Sequence, residues 1–239
     1  MALKDIFSSQ VAKLLSNDEW LVAETEYNPQ KNLGYESIFA LASGAMGNRA
    51  THEEGFTSKA LPANYVNGVF DRSEALQREL ANTPDWNKLK MYFWCDPIGI
   101  ETGEKLEEYT RVLDMKNGIL AKHYITTAFD GRRTQVESVK FLSRNTPRCG
   151  MFRVYLTPLN YGGLFEFENE IDATVTNFID FPRFRVKHLE TLEIAPIEEF
   201  GEVVLSQTRD FKLPVATATA VKVLNLQGED KLKSRKFRQ

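Results

Sequence analysis

After residue 88 the chain consists mostly of short apolar or alternating stretches separated by turn residues, a pattern typical of β-strands. The plainest alternation lies at 164–171, where glutamates alternate with Phe165, Phe167 and Ile171. It predicts an antiparallel strand with one buried face and one solvated face. The other predicted strands cover residues 20–24, 89–95, 110–115, 120–129, 136–142, 151–156, 174–179, 187–194, 202–207 and 217–226.

Two dipeptides predict tight turns between neighbouring strands. Asn117 and Gly118 stand before the strand at 120–129, and Asp130 and Gly131 stand after it. These residue types tolerate the positive φ angles that short hairpin turns require. About a dozen strands with short turns and little helix predict an all-β fold. We expect a large antiparallel β-sandwich of the supersandwich kind, with one or two short helices.

Two stretches have a periodicity closer to that of a helix. Residues 3–15 carry apolar side chains near helical spacing, and residues 71–81 place Leu76 and Leu80 one turn apart after a capping pattern at Asp71. We therefore expect a short amphipathic helix at the N-terminus and a second helix at 71–81. The predicted organisation is an N-terminal helical segment at 1–16, a β-sandwich domain at 17–227 and a basic tail at 228–239.

Composition narrows the class of protein. Of the 239 residues, 42% are hydrophobic and 11% are aromatic, which is enough for a sizeable core. The net charge of −3 does not favour a nucleic-acid partner. No apolar run approaches the roughly 20 residues of a transmembrane helix, and no signal peptide is visible. We expect no membrane association and, by default, a cytoplasmic protein. Cys95 and Cys149 are predicted to be reduced thiols in the core.

A glycine-rich segment lies between a short apolar run and a group of charged residues. The run at 38–41 is short enough to be a buried strand. Gly44 and Gly47 then permit positive φ or a close backbone approach. An apolar strand that leads into a glycine-rich loop and charged residues is a common way to present a binding site. The charged residues that follow are Arg49, His52, Glu53 and Glu54.

The letters ESIFAL at 36–41 and GAMGNRATHEEG at 44–55 closely resemble the N-terminal signature of glycoside hydrolase family 65. That family contains maltose, kojibiose and trehalose phosphorylases and related α-glucoside hydrolases. Further segments resemble those of the family in the same order, so the resemblance extends from about residue 20 to residue 177. They are ANYVNGVFD at 63–71, NTPDW at 82–86, LDMKNG at 113–118, VKFLS at 139–143 and DATVTN at 172–177.

The resemblance implies a β-sandwich that is joined by helices to an (α/α)6 barrel. In the family the barrel holds the general-acid glutamate, the sugar pocket and, in phosphorylases, the phosphate site. We therefore expect this chain to be non-catalytic alone, and its status as an enzyme stays open. The parent reaction is either inverting phosphorolysis or hydrolysis. The implied partners are the (α/α)6 catalytic domain or chain and an α-linked glucoside bound through it, with homodimerisation as an option. No cofactor is expected.

The candidate chemistry of the chain itself is limited. Glu53 and Glu54 are adjacent, and in a strand adjacent side chains point to opposite faces. We therefore do not expect them to act on one glycosidic bond, which needs two convergent carboxyl groups, and we assign no catalytic residue. The histidines do not have the H-E-x-x-H spacing of a zinc site, so no metal site is expected.

Arg49 has two possible roles, which the sequence leaves open. Its guanidinium either pairs with Glu53 or Glu54 and fixes the loop, or it lines the sugar pocket where the loop docks on the barrel. Aromatic residues hold sugars by stacking, and Tyr65, Tyr92, Trp94 and Trp86 are candidates by type. The predicted substrate-binding or barrel-docking residues are Gly44, Met46, Gly47, Arg49, Glu53, Glu54 and Tyr65.

The rival hypothesis is a free-standing carbohydrate-binding or subunit-interaction β-sandwich. A large exposed apolar face would favour the domain of an enzyme, because monomeric proteins rarely expose such patches. A closed polar surface with an aromatic platform would favour the lectin-like alternative.

Overall fold

The computed structural model describes residues 2–72, 78–179, 184–197 and 201–224. The predicted basic tail at 228–239 and the last residues of the predicted strand at 217–226 lie outside them. The predicted domain boundaries after residues 16 and 227 stay a prediction. The described residues contain two α-helices, α1 (Ser9–Ala12) and α2 (Asn32–Ile38), with short 3-10 helices at Leu3–Ile6 and Asp18–Trp20.

Most of the remaining structure is strand, which confirms the predicted all-β antiparallel class. In chain order the strands are β1 (Leu21–Glu24), β2 (Leu41–Ala42), β3 (Met46–Asn48), β4 (Asn64–Arg72), β5 (Arg78–Thr83), β6 (Asp85–Phe93), β7 (Asp96–Pro97), β8 (Lys105–Asp114), β9 (Ile119–Thr127), β10 (Arg133–Leu142), β11 (Gly150–Pro158), β12 (Phe165–Asp172), β13 (Asn177–Ile179), β14 (Phe184–Val186), β15 (Leu189–Ile197), β16 (Gly201–Thr208) and β17 (Pro214–Ala220).

The chain forms two compact units. Unit one comprises Met1–Gly68 and Asn87–Glu168, and unit two comprises Val69–Trp86 and Asn169–Gln239. In unit one the main sheet is antiparallel in the order β1-β8-β9-β10-β11. The predicted turns that join its central strands are confirmed, with φ values of 66° at Gly118 and 83° at Gly131.

The main sheet of unit one buries side chains on both faces. On one face Phe7, Val11 and Leu15 of the N-terminal segment pack against apolar residues of β8, β9 and β10. On the other face residues of β6 pack against Tyr109, Tyr124 and Val136, so a second layer covers the sheet. Burial of apolar side chains between these layers is the main stabilising contribution.

The N-terminal prediction is right about burial and wrong about a continuous helix. The segment forms the 3-10 helix at Leu3–Ile6 and then α1, with Phe7 extended between them. The backbone N–H of Ser8 donates to Glu137 Oε1 at 2.7 Å instead of to a helical carbonyl. That side-chain acceptor interrupts the helix while the apolar residues stay on the sheet.

The predicted strand at 38–41 is wrong. Residues up to Ile38 belong to α2, and the N–H of Phe39 still donates to the carbonyl of Tyr35 at 2.9 Å. Phe39 is fully buried, with the Arg111 guanidinium 5.1 Å from its ring centroid. A short apolar run does not by itself distinguish a buried strand from the end of a helix.

Three further expectations need correction. Cys95 and Cys149 are free thiols but exposed, not core residues. The prediction of a helix at 71–81 is wrong for residues 71–72, which belong to β4, and for residues 78–81, which belong to β5. Residues 73–77 lie outside the described residues. In β12 Ile171 is buried as predicted, but Phe167 is 37% exposed.

Unit two contains the end of β4, β5 and two small antiparallel sheets, β13-β14 and β15-β16-β17. Asp71 at the end of β4 is fully buried and accepts the backbone N–H groups of Arg209, Asp210 and Phe211 at 3.2, 3.1 and 3.1 Å. His188 lies between Asp71 Oδ2 (3.4 Å) and Glu79 Oε1 (2.9 Å). Among the described residues no helix is long and apolar enough to cross a membrane.

Candidate functional site

The glycine-rich segment forms a short hairpin in unit one. The strands β2 and β3 pair directly, and Gly44 lies in the turn with φ of 86°, which favours glycine. The Ser43 hydroxyl donates to the Pro147 carbonyl at 2.6 Å and fixes one end of the turn. At Gly47 a Cβ atom would meet only the Leu41 carbonyl, at 3.8 Å, so space does not require glycine there.

Met46 and Tyr65 belong to the same small sheet as this turn. Met46 lies opposite Val66, and Tyr65 lies opposite Gly47, in the pairing of β3 with β4. Both side chains are half-buried. The structure therefore brings four of the predicted site residues, Gly44, Met46, Gly47 and Tyr65, onto one hairpin and its neighbouring strand.

Arg49 binds the helix that precedes the hairpin. Its guanidinium donates to Ser37 Oγ at 2.6 Å, to the Leu33 carbonyl at 2.8 Å and to Glu36 Oε2 at 3.2 Å. Burial raises the pKa of Glu36, and Arg49 acts against that rise. The predicted pairing of Arg49 with Glu53 or Glu54 is therefore wrong, although Arg49 does fix the segment by an ion pair, with Glu36 as the partner.

Glu53 and Glu54 converge on one ammonium group. Lys122 Nζ donates to Glu53 Oε2 at 2.9 Å and to Glu54 Oε2 at 2.6 Å. The two glutamates lie in a turn instead of a strand, so the expectation that they point to opposite faces is wrong. Lys140 Nζ lies 3.3 Å from Glu53 Oε1, and the Tyr124 hydroxyl donates to Glu54 Oε1 at 2.8 Å. We call Glu53, Glu54, Lys122, Lys140 and Tyr124 the buried charge cluster.

The electrostatics of the buried charge cluster favour the ionised forms of Glu53 and Lys122. Burial alone would raise the pKa of Glu53, but the Lys122 and Lys140 ammonium groups outweigh it and lower that pKa to about 2. Burial alone would lower the pKa of Lys122, and the two carboxylates raise it instead. Mutual compensation of this kind is what makes buried charges tolerable. These carboxylates are sequestered by the cluster, so we place them in the scaffold and not in a catalytic pair.

His52 is buried beside the cluster. Burial lowers the pKa of His52 well below its ordinary value, and the positive charges of Arg111, Lys122 and Lys140 act in the same direction. The ring packs edge-on against Tyr27, with centroids 5.7 Å apart. His52 is therefore a neutral packing residue at neutral pH.

The backbone of residues 50–53 is held by groups from several strands. Arg111 Nη1 donates to the Ala50 carbonyl at 2.9 Å, and Lys140 Nζ lies 3.5 Å from the Thr51 carbonyl. The Leu89 N–H donates to the Glu53 carbonyl at 2.8 Å. These contacts fix the segment that follows the hairpin on the face of the main sheet.

Two of the basic residues that hold this segment, Arg111 and Lys122, lie in a row across adjacent strands. Lys122 is paired in register with Arg111 of β8 and with Ser138 of β10, and Arg111 is paired with Glu24 of β1. The Arg111 guanidinium forms an ion pair with Glu24 at 2.7 Å. Sequence reasoning missed this row. Its signal was a basic residue inside each of the predicted strands at 110–115 and 120–129, Arg111 and Lys122.

Among the described residues, no group of three or more His, Cys, Asp or Glu side chains could hold a metal ion. The site is therefore an exposed hairpin turn whose following segment is fixed by buried charges. It offers a rigid surface against which another molecule or domain can pack.

Comparisons with known proteins agree with this picture. The profile described as "Glycosyl hydrolase family 65, N-terminal domain" matches residues 22–238. The chain is 34% identical over 236 residues to a kojibiose phosphorylase of Thermoanaerobacter brockii, covering 99% of this chain and 30% of that protein. It is 26% identical over 183 residues to an α,α-trehalose phosphorylase of the same organism, covering 71% of this chain and 24% of the relative.

A solved structure shows the same fold. It is a putative kojibiose phosphorylase from the human microbiome, with a TM-score of 0.70 and 16% sequence identity, and the match covers 82% of this chain and 26% of that one. The chain thus spans 30% or less of the length of these relatives.

Proposed function

The chain belongs to glycosyl hydrolase family 65, whose N-terminal domain it matches, and we propose that it braces the catalytic domain of an enzyme that cleaves α-linked glucosides. In this proposal the partner is an (α/α)6 catalytic domain or chain, which supplies the general acid and the sugar pocket. The names of the relatives favour phosphorolysis over hydrolysis, because kojibiose and trehalose phosphorylases are similar over most of this chain.

The observation that carries the proposal is the fixed hairpin in unit one. The turn at Gly44 is tied by Ser43 to Pro147, and the segment behind it is held by Arg111, Lys122 and Lys140. Buried charges cost desolvation energy and confer geometric precision only where their partners are complete. A hairpin held in this way is suited to form one wall of a site whose other parts lie on a neighbouring domain.

Unit two supplies a surface for the partner. One face of the β15-β16-β17 sheet carries Ala195, Ile197, Val203 and Leu205, with the alanines of β17 beside them in register and Glu193 opposite Leu205 at one end. Ile197 is 39% exposed and Leu205 is 37% exposed. We call this the β15–β17 face. We assign the catalytic domain to it, because the relatives extend far beyond the matched region and exposed apolar patches favour burial.

The proposed reaction transfers a glucosyl group to phosphate. An oxygen of inorganic phosphate attacks C1 of the glucosyl unit, the glycosidic bond breaks, and the general acid of the catalytic domain gives its proton to the leaving sugar. Inversion would give β-glucose 1-phosphate, and no cofactor is needed. We place the protein in the cytoplasm, and its two free, exposed thiols suit a reducing compartment.

The test is an assay of the protein purified from its native cells through a tag at its N-terminus. We would supply kojibiose, maltose and trehalose with and without inorganic phosphate and measure glucose and glucose 1-phosphate. The proposal predicts cleavage that depends on phosphate and yields β-glucose 1-phosphate. Cleavage that yields glucose without glucose 1-phosphate would show that the reaction is hydrolysis and not phosphorolysis. If none of the α-glucosides is cleaved, the proposal is overturned.

A further inference from the structure

The turn between β6 and β7 has a strained backbone at two positions that are not glycine. Trp94 has φ of 56° and Cys95 has φ of 87°. Phe93 pairs directly with Asp96, so these two residues form a two-residue hairpin turn. Asn-Gly and similar pairs are the residues expected there, because side chains disfavour positive φ at both positions. Strain of this kind persists where the surrounding structure enforces it, and it is frequent at functional sites.

The strained turn presents an indole ring to solvent on a packed base. Trp94 is 72% exposed. Beneath it Phe93 contacts Tyr161 and Phe165, with ring centroids 4.8 and 5.3 Å apart. The backbone of Gly163 approaches this base so closely that a Cβ atom there would lie 2.8 Å from the Phe93 ring. The base is therefore rigid, and the indole projects from it into water.

Polar groups lie beside the Phe93 base that supports the indole. Arg132 stacks over Phe93 at 4.6 Å and forms ion pairs with Asp96 and Asp130, both at 2.5 Å. The side chains of these aspartates are 67% and 55% exposed, so their remaining lone pairs face solvent. The Tyr161 hydroxyl and Thr134 Oγ1 lie 2.6 Å apart in an adjoining cleft.

We propose that this surface binds a neutral oligosaccharide, with one pyranose ring stacked on Trp94. We call it the Trp94 platform, and it comprises Trp94, Phe93, Tyr161, Arg132, Asp96 and Asp130. A pyranose has an apolar face of C–H groups, which matches an exposed indole, and a rim of hydroxyl groups, which donate to carboxylates. The platform has two carboxylates and one guanidinium, so its edge carries a net negative charge. That charge disfavours acidic saccharides.

The strained turn permits a matched pair of variants. Trp94→Gly and Cys95→Gly both place glycine at a position of positive φ, so neither should lower the melting temperature. Trp94→Gly removes the stacking surface, whereas Cys95→Gly leaves it in place. Trp20→Ala serves as a second control, because Trp20 is also exposed, at 40%, but lies in the N-terminal segment.

The experiment is calorimetric titration of the 239-residue chain with maltotriose, cellotriose and trigalacturonate. We expect saturable binding of at least one neutral trisaccharide and weaker binding of the acidic one. Trp94→Gly should weaken neutral binding at least tenfold, and Cys95→Gly and Trp20→Ala should change it less than twofold. These measurements use no catalytic domain, so their result is independent of the phosphorolysis assay.

Three results would overturn the inference. The first is the absence of saturable binding by the unmodified chain. The second is unchanged affinity in Trp94→Gly. The third is protection of Trp94 from a collisional quencher in the protein purified from native cells, because this would show that a protein partner, not a sugar, covers the indole.

Discussion

Lys122 is the residue on which the fixed segment of unit one most depends. It is buried, and it donates to both Glu53 and Glu54. Removing one partner of a buried ion pair leaves an uncompensated charge, which costs far more than the pair itself contributes. Loss of the ammonium would leave Glu54 with the Tyr124 hydroxyl but without its cation, while Glu53 would keep Lys140.

We therefore predict that Lys122→Met lowers the free energy of unfolding by about 3–5 kcal/mol, measured by urea denaturation. The matched control is Lys105→Met, because Lys105 is 66% exposed and pairs with Glu107 at the surface. Exposed pairs contribute only about 0–1 kcal/mol, so the control should stay close to the unmodified protein. A loss below about 1 kcal/mol for Lys122→Met would contradict the assigned role of the buried charge cluster.

Glu53 gives the cluster a defined dependence on pH. The lysines lower the pKa of its folded state from the ordinary 4.5 to about 2. A carboxyl group with a lowered folded pKa stabilises the fold above its unfolded pKa, and this contribution disappears as pH falls through the folded value. The window is therefore from about pH 4.5 down to about pH 2.

We predict that the stability advantage of the unmodified protein over Glu53→Gln shrinks by about 3 kcal/mol across that window. The measurement is a set of urea denaturation curves for both proteins at several pH values. Taking the difference between them removes the contributions of other carboxyl groups. An advantage that stays constant, or grows as pH falls, would refute the ion pairing of Glu53 with Lys122 and Lys140.

At the scale of elements, Asp71 explains why the predicted helix at 71–81 is absent from its described ends. Its carboxylate accepts three backbone N–H groups from residues 209–211, which form the turn between β16 and β17. The capping pattern at Asp71 predicted a helix. The Asp71 carboxylate instead accepts hydrogen bonds from a segment that is distant in the sequence. Tertiary contacts of this kind override local propensity.

We predict that Asp71→Ala destabilises the turn at 209–211 by about 1–3 kcal/mol, because buried donors lose their acceptor. Hydrogen exchange of the amides of Arg209, Asp210 and Phe211 would measure the loss of protection directly. The control is Asp210→Ala, since the Asp210 side chain is 46% exposed and pairs with Arg72 at the surface. Equal protection in Asp71→Ala and the unmodified protein would contradict this role of Asp71.

The sequence allowed the strands of unit one to be predicted well, because alternation and turn residues are local signals. The turns at Gly118 and Gly131 depend only on residues that tolerate positive φ, and both are present. The partner of Arg49 was not predictable in this way. Glu36 lies on a helix that was not predicted, just before residues 38–41, where a strand was expected.

The candidate site was predictable in part. The resemblance indicated the right segment, and the structure places Gly44, Met46, Gly47 and Tyr65 close together in unit one. The convergence of Glu53 and Glu54 required knowledge of a turn that no motif marks. The strain at Trp94 was also hidden, because φ is set by the pairing of Phe93 with Asp96 and not by the residue type.

At the scale of the molecule, the β15–β17 face makes a prediction about assembly. Leu205→Lys places a charge on this face at a position that is 37% exposed, so the isolated chain should keep its melting temperature. In the protein purified with the proposed catalytic domain, the same change should lower the melting temperature or release the domain, because burying an added charge in the interface costs desolvation energy.

The control for that measurement is Leu192→Lys. Leu192 is 58% exposed and lies at the bulge of β15, outside the register that forms the face. It should leave both the isolated chain and the assembled protein unchanged. If Leu205→Lys instead disrupts a homodimer of this chain and leaves the catalytic domain bound, the face belongs to a second copy and its assignment to the catalytic domain fails.

The central claim is that this chain works as the N-terminal domain of a family 65 enzyme. Native mass spectrometry of the protein purified from its own cells through an N-terminal tag tests it most directly. We expect one assembly in which peptide sequencing identifies an (α/α)6 catalytic region, either in the same polypeptide or in a tightly bound one. A stable species with the mass of 27.3 kDa alone would contradict the claim.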